Sequence, residues 1–176
     1  IFTYSPTDPG PLSASDLPIN NFLGNTGAAI ASPLILVIGW GSWSLAPILL
    51  IWGLRFLLHI GSERAIGRLL FAPIAIALAS IYAASIVPAN SWGHNFGMGG
   101  LFGDTVVGLL LTLIPLSASH GILVITLISL FFTIVLNIFC SGFISSEIKN
   151  IIRFFYTCSN KTFYLLFVGV FQIISS

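Results

Sequence analysis

Charge is what this sequence has least of. Only 6% of its 176 residues are Asp, Glu, Lys or Arg, against 56% hydrophobic. A soluble domain carries about 25% charged residues to cover its surface, so this composition excludes an ordinary soluble fold and implies an integral membrane protein. Two cysteines, Cys140 and Cys158, show neither metal-ligand spacing nor a disulfide framework and read as free structural thiols. No glycine is followed by lysine, which excludes the phosphate loop of nucleotide hydrolases. No G-x-S-x-G nucleophile elbow occurs either. The chain starts at Ile1 rather than Met and shows no basic stretch leading into a cleavable apolar core, so no signal peptide is read and a fragment is expected.

What is present is a set of long apolar runs separated by short polar segments. Runs of about 20 apolar residues cross a hydrocarbon core of about 30 Å as helix. Lipid offers no partner for backbone N–H and C=O, so a crossing segment must be helical. Ile30–Leu54, Leu69–Val87 and Ile122–Phe139 are the three expected crossing helices. Pro33 is read near the start of the first and Pro47 as a kink deep inside it. Gly39 and Gly41 are small positions where another helix could approach. Trp40 and Trp43 read as packing residues, and Trp52 as part of an interfacial aromatic belt. The second run is rich in Ala and Ser, a composition that lets helices pack closely in lipid.

The placement of charge orients this map. Arg55, Arg64 and Arg68 lie in one loop between the first two runs. Short basic loops stay cytoplasmic, so these arginines set the topology. Lys149, Arg153 and Lys161 follow the last run and share that side if Leu101–Leu116 does not cross. That segment, which carries Asp104, is therefore expected as an interfacial or re-entrant helix on the outer face. The acids Asp8, Asp16 and Asp104 then fall outside. The resulting organisation is an outer loop over residues 1–29, a membrane domain over 30–142 and a cytoplasmic or membrane-surface tail over 143–176. The fold class is an all-α polytopic membrane bundle. Because the first visible helix runs inward from an external Ile1, a fourth crossing helix is expected upstream. The late apolar run Phe163–Ser176 is too short to cross cleanly and its place is left open.

Sites of chemistry are few. His59, His94 and His120 are far apart and read as solvated loop histidines rather than converging metal ligands. Asp104 is the one acid inside an apolar segment. A proton-relay role is weighed against a surface or helix-capping role, and the latter is favoured because no basic partner lies on its side and the helix is not expected to cross. Gly97-Met-Gly-Gly-Leu-Phe-Gly103 has no preceding strand and no later ribose-binding acid, so it reads as a tight turn before a helix.

Tyr4-Ser5-Pro6-Thr7-Asp8-Pro9, then Asn21-Phe-Leu-Gly24-Asn-Thr-Gly27-Ala28 leading into a crossing helix, resembles the N-terminal membrane domain of the FtsK/SpoIIIE DNA translocases. Gly99-Gly100-Leu-Phe-Gly103-Asp104, followed by Gly121 before the last crossing helix, extends the resemblance over about residues 2–142. The Tyr-Ser-Pro-x-Asp-Pro element is its most specific part. Ser32-Pro33 departs from it, since an acidic residue commonly follows alanine there, and residues from Phe143 onward match nothing in it. The resemblance implies four crossing helices and a multi-pass protein of the bacterial inner membrane at the division septum. It implies a non-catalytic anchor and assembly domain for a hexameric motor that pumps chromosomal DNA. ATP and Mg would belong to that motor, so no cofactor, metal or catalytic residue is expected in this chain. Expected partners are the lipid bilayer, further copies of the chain and other division proteins, with no direct nucleic-acid contact. The rival reading is a small transporter or channel component, suggested by Asp104, Pro47 and the glycine-rich loop.

Overall fold

The computed structural model describes residues 1–11, 17–88, 92–150, 153–154 and 156–157. Asp16, Asn90, Cys158, Lys161 and the run Phe163–Ser176 lie outside the described residues. The chain divides into two compact units, Ile1–Gly142 and Phe143–Ser176. In the second, a helical turn begins at Ser145, and the N–H of the preceding Ile144 donates to the Glu147 carboxylate at 3.3 Å.

Among the described residues the first unit is all helix and loop, with no strand. Its helices are α1 Gly24–Ile38, α2 Leu45–Leu57, α3 Ala65–Leu69, α4 Ala72–Ala84, α5 Gly100–Leu113 and α6 Ala118–Cys140. Gly24–Leu57 and Ala118–Cys140 are each long and apolar enough to cross a membrane. Ser62–Leu69 and Ala72–Ala84, bent by 49°, make a third span if counted together. α5 has 14 residues, about 21 Å of helix, which falls short of a hydrocarbon core. The protein is a polytopic α-helical membrane bundle.

Several boundaries differ from the sequence reading, each for a tertiary reason. The first helix starts at Gly24, not Ile30. Its extra residues bury Gly27 and Ala28, and Gly10 from the N-terminal segment sits against Ser32. Pro33 therefore lies inside α1 rather than near a helix start. The rod is interrupted by a 3-10 helix at Gly39–Ser44, upstream of Pro47. Pro47 falls in the first turn of α2, where a missing N–H costs little, and Gly39 at φ +53° supplies the break. α4 ends at Ala84, short of Val87, and Pro88 blocks its continuation. α6 begins at Ala118, four residues before Ile122, and its first turn places His120 Nδ1 2.6 Å from Ser117 Oγ.

The core lies between α2, α3, α4 and α6: Ile48, Trp52, Ala65, Ala75 and Cys140 pack together. Trp52 is 3% exposed, so it is a core residue and not part of an aromatic belt. Cys140, which faces it from the end of α6, is fully buried and free. Large apolar side chains cover the outside, including Leu49, Leu109, Phe131 and Ile134, as lipid contact requires.

Candidate functional site: the arginine end, the glycine crossing and the loop cap

The C-terminus of α6 leaves carbonyls without intrahelical partners. Three consecutive ones are met by side chains of the α2–α4 hairpin. Arg68 Nη1 donates to Phe139 O at 3.0 Å, Trp52 Nε1 to Cys140 O at 2.6 Å and Arg55 Nε to Ser141 O at 3.2 Å. The two guanidinium groups also oppose the negative end of the helix dipole. Arg68 lies over the Phe139 ring at 4.0 Å, and Arg55 5.9 Å from the Trp52 ring. Two of the three topology-setting arginines therefore hold the hairpin to the end of α6. Arg64 stands apart, 3.4 Å from Glu63 and half exposed. The hairpin and the end of α6 share one end of the bundle, so the α4–α6 connection, α5 included, begins and finishes at the other.

Near the C-terminal end of α4 three backbones meet at Ser80. Ser80 is fully buried and its Oγ donates to Gly99 O at 2.6 Å. A Cβ on Gly103 would come within 2.7 Å of that Oγ, and one on Gly41 within 2.6 Å of the Ser80 backbone nitrogen. A Cβ on Gly99 would meet Ser80 O at 2.5 Å and Ala84. Gly100, at φ +67°, lies against Gly39 and Val37, and the Trp40 N–H reaches Met98 O at 2.8 Å. Glycine is required because Cβ atoms would hold the 3-10 break, α4 and the start of α5 apart. Asp104 folds back on the same loop: its Oδ2 accepts the Gly97 N–H at 2.6 Å.

The Tyr4–Pro9 segment forms a cap over the aromatic loop before α5. Pro6 sits inside a turn closed by the Asp8 N–H on Ser5 O at 3.2 Å, and Ser5 Oγ lies 2.8 Å from Thr7 Oγ1. Asp8 is 2% exposed; its Oδ1 accepts the Asn20 N–H at 2.7 Å, tying the turn to the approach to α1. Pro9 links this turn to Gly10 and its contact with Ser32. Gly24 takes φ +60° at the first residue of α1, and Gly27 has no room for a Cβ beside Asn21. Tyr4 Oη lies 3.3 Å from His94 Nε2, and the two rings stack at 5.6 Å. Trp92 and Phe96 flank His94 at 4.8 and 4.7 Å. Burial raises the Tyr4 pKa, with the Asp8 charge adding to it, and burial lowers that of His94.

His94 is thus part of a packed aromatic cluster rather than a solvated loop histidine. The sequence signal was the alternation Trp92-Gly-His94-Asn-Phe96, which sets three rings two residues apart. Ser80 carries no comparable signal among the small residues of α4. Trp40 and Trp43 are 51% and 37% exposed, Trp40 edge-on to Trp92 and Trp43 edge-on to Phe2. His59 is exposed at φ +55°, in the turn after α2. No group of three His, Cys, Asp or Glu converges among the described residues.

These features define a helical membrane domain whose long helices are pinned at one end by side-chain caps and packed closely through glycine where the 3-10 break, α4 and the start of α5 meet. The family described as the 4TM region of DNA translocase FtsK/SpoIIIE matches residues 1–148. The chain belongs to that family. The DNA translocase FtsK of Caulobacter vibrioides is 29% identical over 132 residues, covering 73% of this chain and 16% of that protein. That of Azospirillum brasilense is 30% identical over 111 residues, covering 62% and 17%. That of Bradyrhizobium diazoefficiens is 28% identical over 107 residues, covering 61% and 13%. The chain spans less than a fifth of the length of these relatives. No solved structure matches it.

Proposed function

We propose that this domain is the membrane anchor and assembly module of a cell-division DNA translocase. On this reading it sits in the bacterial inner membrane at the septum and tethers an ATP-driven chromosome-segregation motor without catalysing a reaction itself. ATP and Mg serve the motor. The domain meets lipid, further copies of the chain in a hexamer and other division proteins, and does not touch DNA. The observation that carries the proposal is the family match over residues 1–148, within relatives named DNA translocases of which this region is a small part. The capped end of α6 supports it physically. Phe139, Cys140 and Ser141 are held by Arg68, Trp52 and Arg55, so a pull on the chain after α6 is passed to the hairpin instead of unwinding the last turn. Asp104 supports a bracing role over transport, because its carboxylate is spent on the Gly97 N–H.

The test is localisation of a fluorescent fusion of the intact protein in dividing cells. A band at the septum is the expected result. Uniform membrane signal throughout division refutes the septal role.

A further inference from the structure

The hairpin between α2 and α4 exposes two kinds of side chain beside each other. Ile66 in α3 is 85% exposed and Leu70, the residue that caps α3, 74%; the Leu70 N–H bonds Ile66 O at 3.1 Å, so the two lie one turn apart on the same side. Arg64, at the end of the 3-10 turn before α3, and Arg68 in α3 are also four apart, while Ala65 between them turns into the core. Leu57 and Leu58, 76% and 65% exposed, extend the apolar surface at the end of α2. The 49° bend between Ser62–Leu69 and α4 inclines this segment away from the line of α4.

A short element with apolar and cationic side chains, inclined at the end of a membrane helix, matches the boundary between acyl chains and headgroups. The basic side chains are prepared for an anion there. Arg68 is fixed by the Phe139 carbonyl and ring, which occupy one face and one N–H of a group with five donors. Among the described residues the ion pair of Arg64 is an exposed one with Glu63, side chains 47% and 66% exposed, an interaction of little worth in water. Planar guanidinium groups bind phosphate oxygens through paired N–H donors.

We propose that this hairpin is a binding site for the phosphodiester headgroup of anionic phospholipids. Arg64 and Arg68 donate to the phosphate, and Ile66 and Leu70 lie among the acyl chains. Charge complementarity and the apolar stripe together select lipid: a soluble polyanion would satisfy the arginines and leave Ile66 and Leu70 in water.

The experiment is native mass spectrometry of the intact protein in micelles with equimolar phosphatidylglycerol and phosphatidylcholine. The wild type retains phosphatidylglycerol in preference. Because Arg68 also holds the end of α6, the informative variant is Arg64→Gln. It is expected to lower phosphatidylglycerol retention about fivefold, the effect of one cation at a membrane surface. Arg64→Lys keeps the charge and is expected to lose less. Equal retention of both lipids by the wild type, or unchanged retention in Arg64→Gln, overturns the proposal. So does displacement of the lipid by an equal concentration of glycerol phosphate, which carries the anion without the acyl chains.

Discussion

Trp52→Phe isolates the cap on α6. The indole N–H meets Cys140 O at 2.6 Å from a side chain only 3% exposed. Phenylalanine keeps most of the apolar contact with Ile48, Ala65 and Ala75 but has no donor. The Cys140 carbonyl is near the helix terminus and has no later turn of α6 to bond to. Leaving a buried acceptor unpaired costs about 1–3 kcal/mol. Side-chain bonds between membrane helices average lower, about 0.6 kcal/mol, where the site admits other partners. This one is sealed, so about 2 kcal/mol is expected. Trp43→Phe is the comparison: Trp43 is 37% exposed and its contact is an aromatic edge against Phe2, so the loss should stay below about 1 kcal/mol. Reversible unfolding of the intact protein in mixed micelles, titrated with SDS and followed by far-UV circular dichroism, measures both. If Trp52→Phe is no less stable than Trp43→Phe, the cap contributes nothing and the reasoning fails.

Gly103→Ala should destabilise by about 1–3 kcal/mol, because its Cβ would press on Ser80 and separate α5 from α4. Gly108→Ala, with open space around its Cβ, should be neutral or gain up to about 1 kcal/mol from helix propensity; thermal stability by size-exclusion chromatography separates the two. Asp104→Ala should free the Gly97 N–H and make the loop before α5 more open to limited proteolysis, whereas Asp104→Asn keeps an acceptor and should do less. Liposome flux should remain at background in wild type and Asp104→Asn alike; flux abolished by the substitution would revive the transporter reading. His94 has a lowered pKa in the folded state, so between that value and the unfolded value of about 6.5 the unfolded chain binds more protons. Stability should therefore fall on acidification through this range, and His94→Gln should flatten the fall. The raised pKa of Tyr4 acts at the other extreme: above about pH 10 the unfolded state loses its proton first, and stability should fall as pH rises. Unfolding titrations at stepped pH check both.

The apolar runs were legible because hydrocarbon tests composition locally: each segment must satisfy its own backbone, whatever its neighbours do. The match of Tyr4–Pro9 and Gly99–Gly103 to a family pattern was legible for a related reason, since turns and close approaches restrict residue type at single positions. Helix ends were less so. Asn-Thr-Gly-Ala-Ala before Ile30 has no strong helix signal, and it is helical because Gly27 and Ala28 are buried against the rest of the unit. Along the chain Trp43 reads as a packing residue and Trp52 as an interfacial one, yet Trp52 is buried against α6 and Trp43 is exposed, because only the crossing of helices decides which face is covered.

Residue order was enough to specify a membrane-crossing helical protein and its basic end, because transfer from water to lipid is summed residue by residue along the chain. The tertiary structure alone decided that Arg55, Trp52 and Arg68 cap α6, that Ser80 is where three backbones meet, and that His94 belongs to the Tyr4 cluster. Those pairings join residues 19 to 90 positions apart, and their energies exist only once the helices have packed.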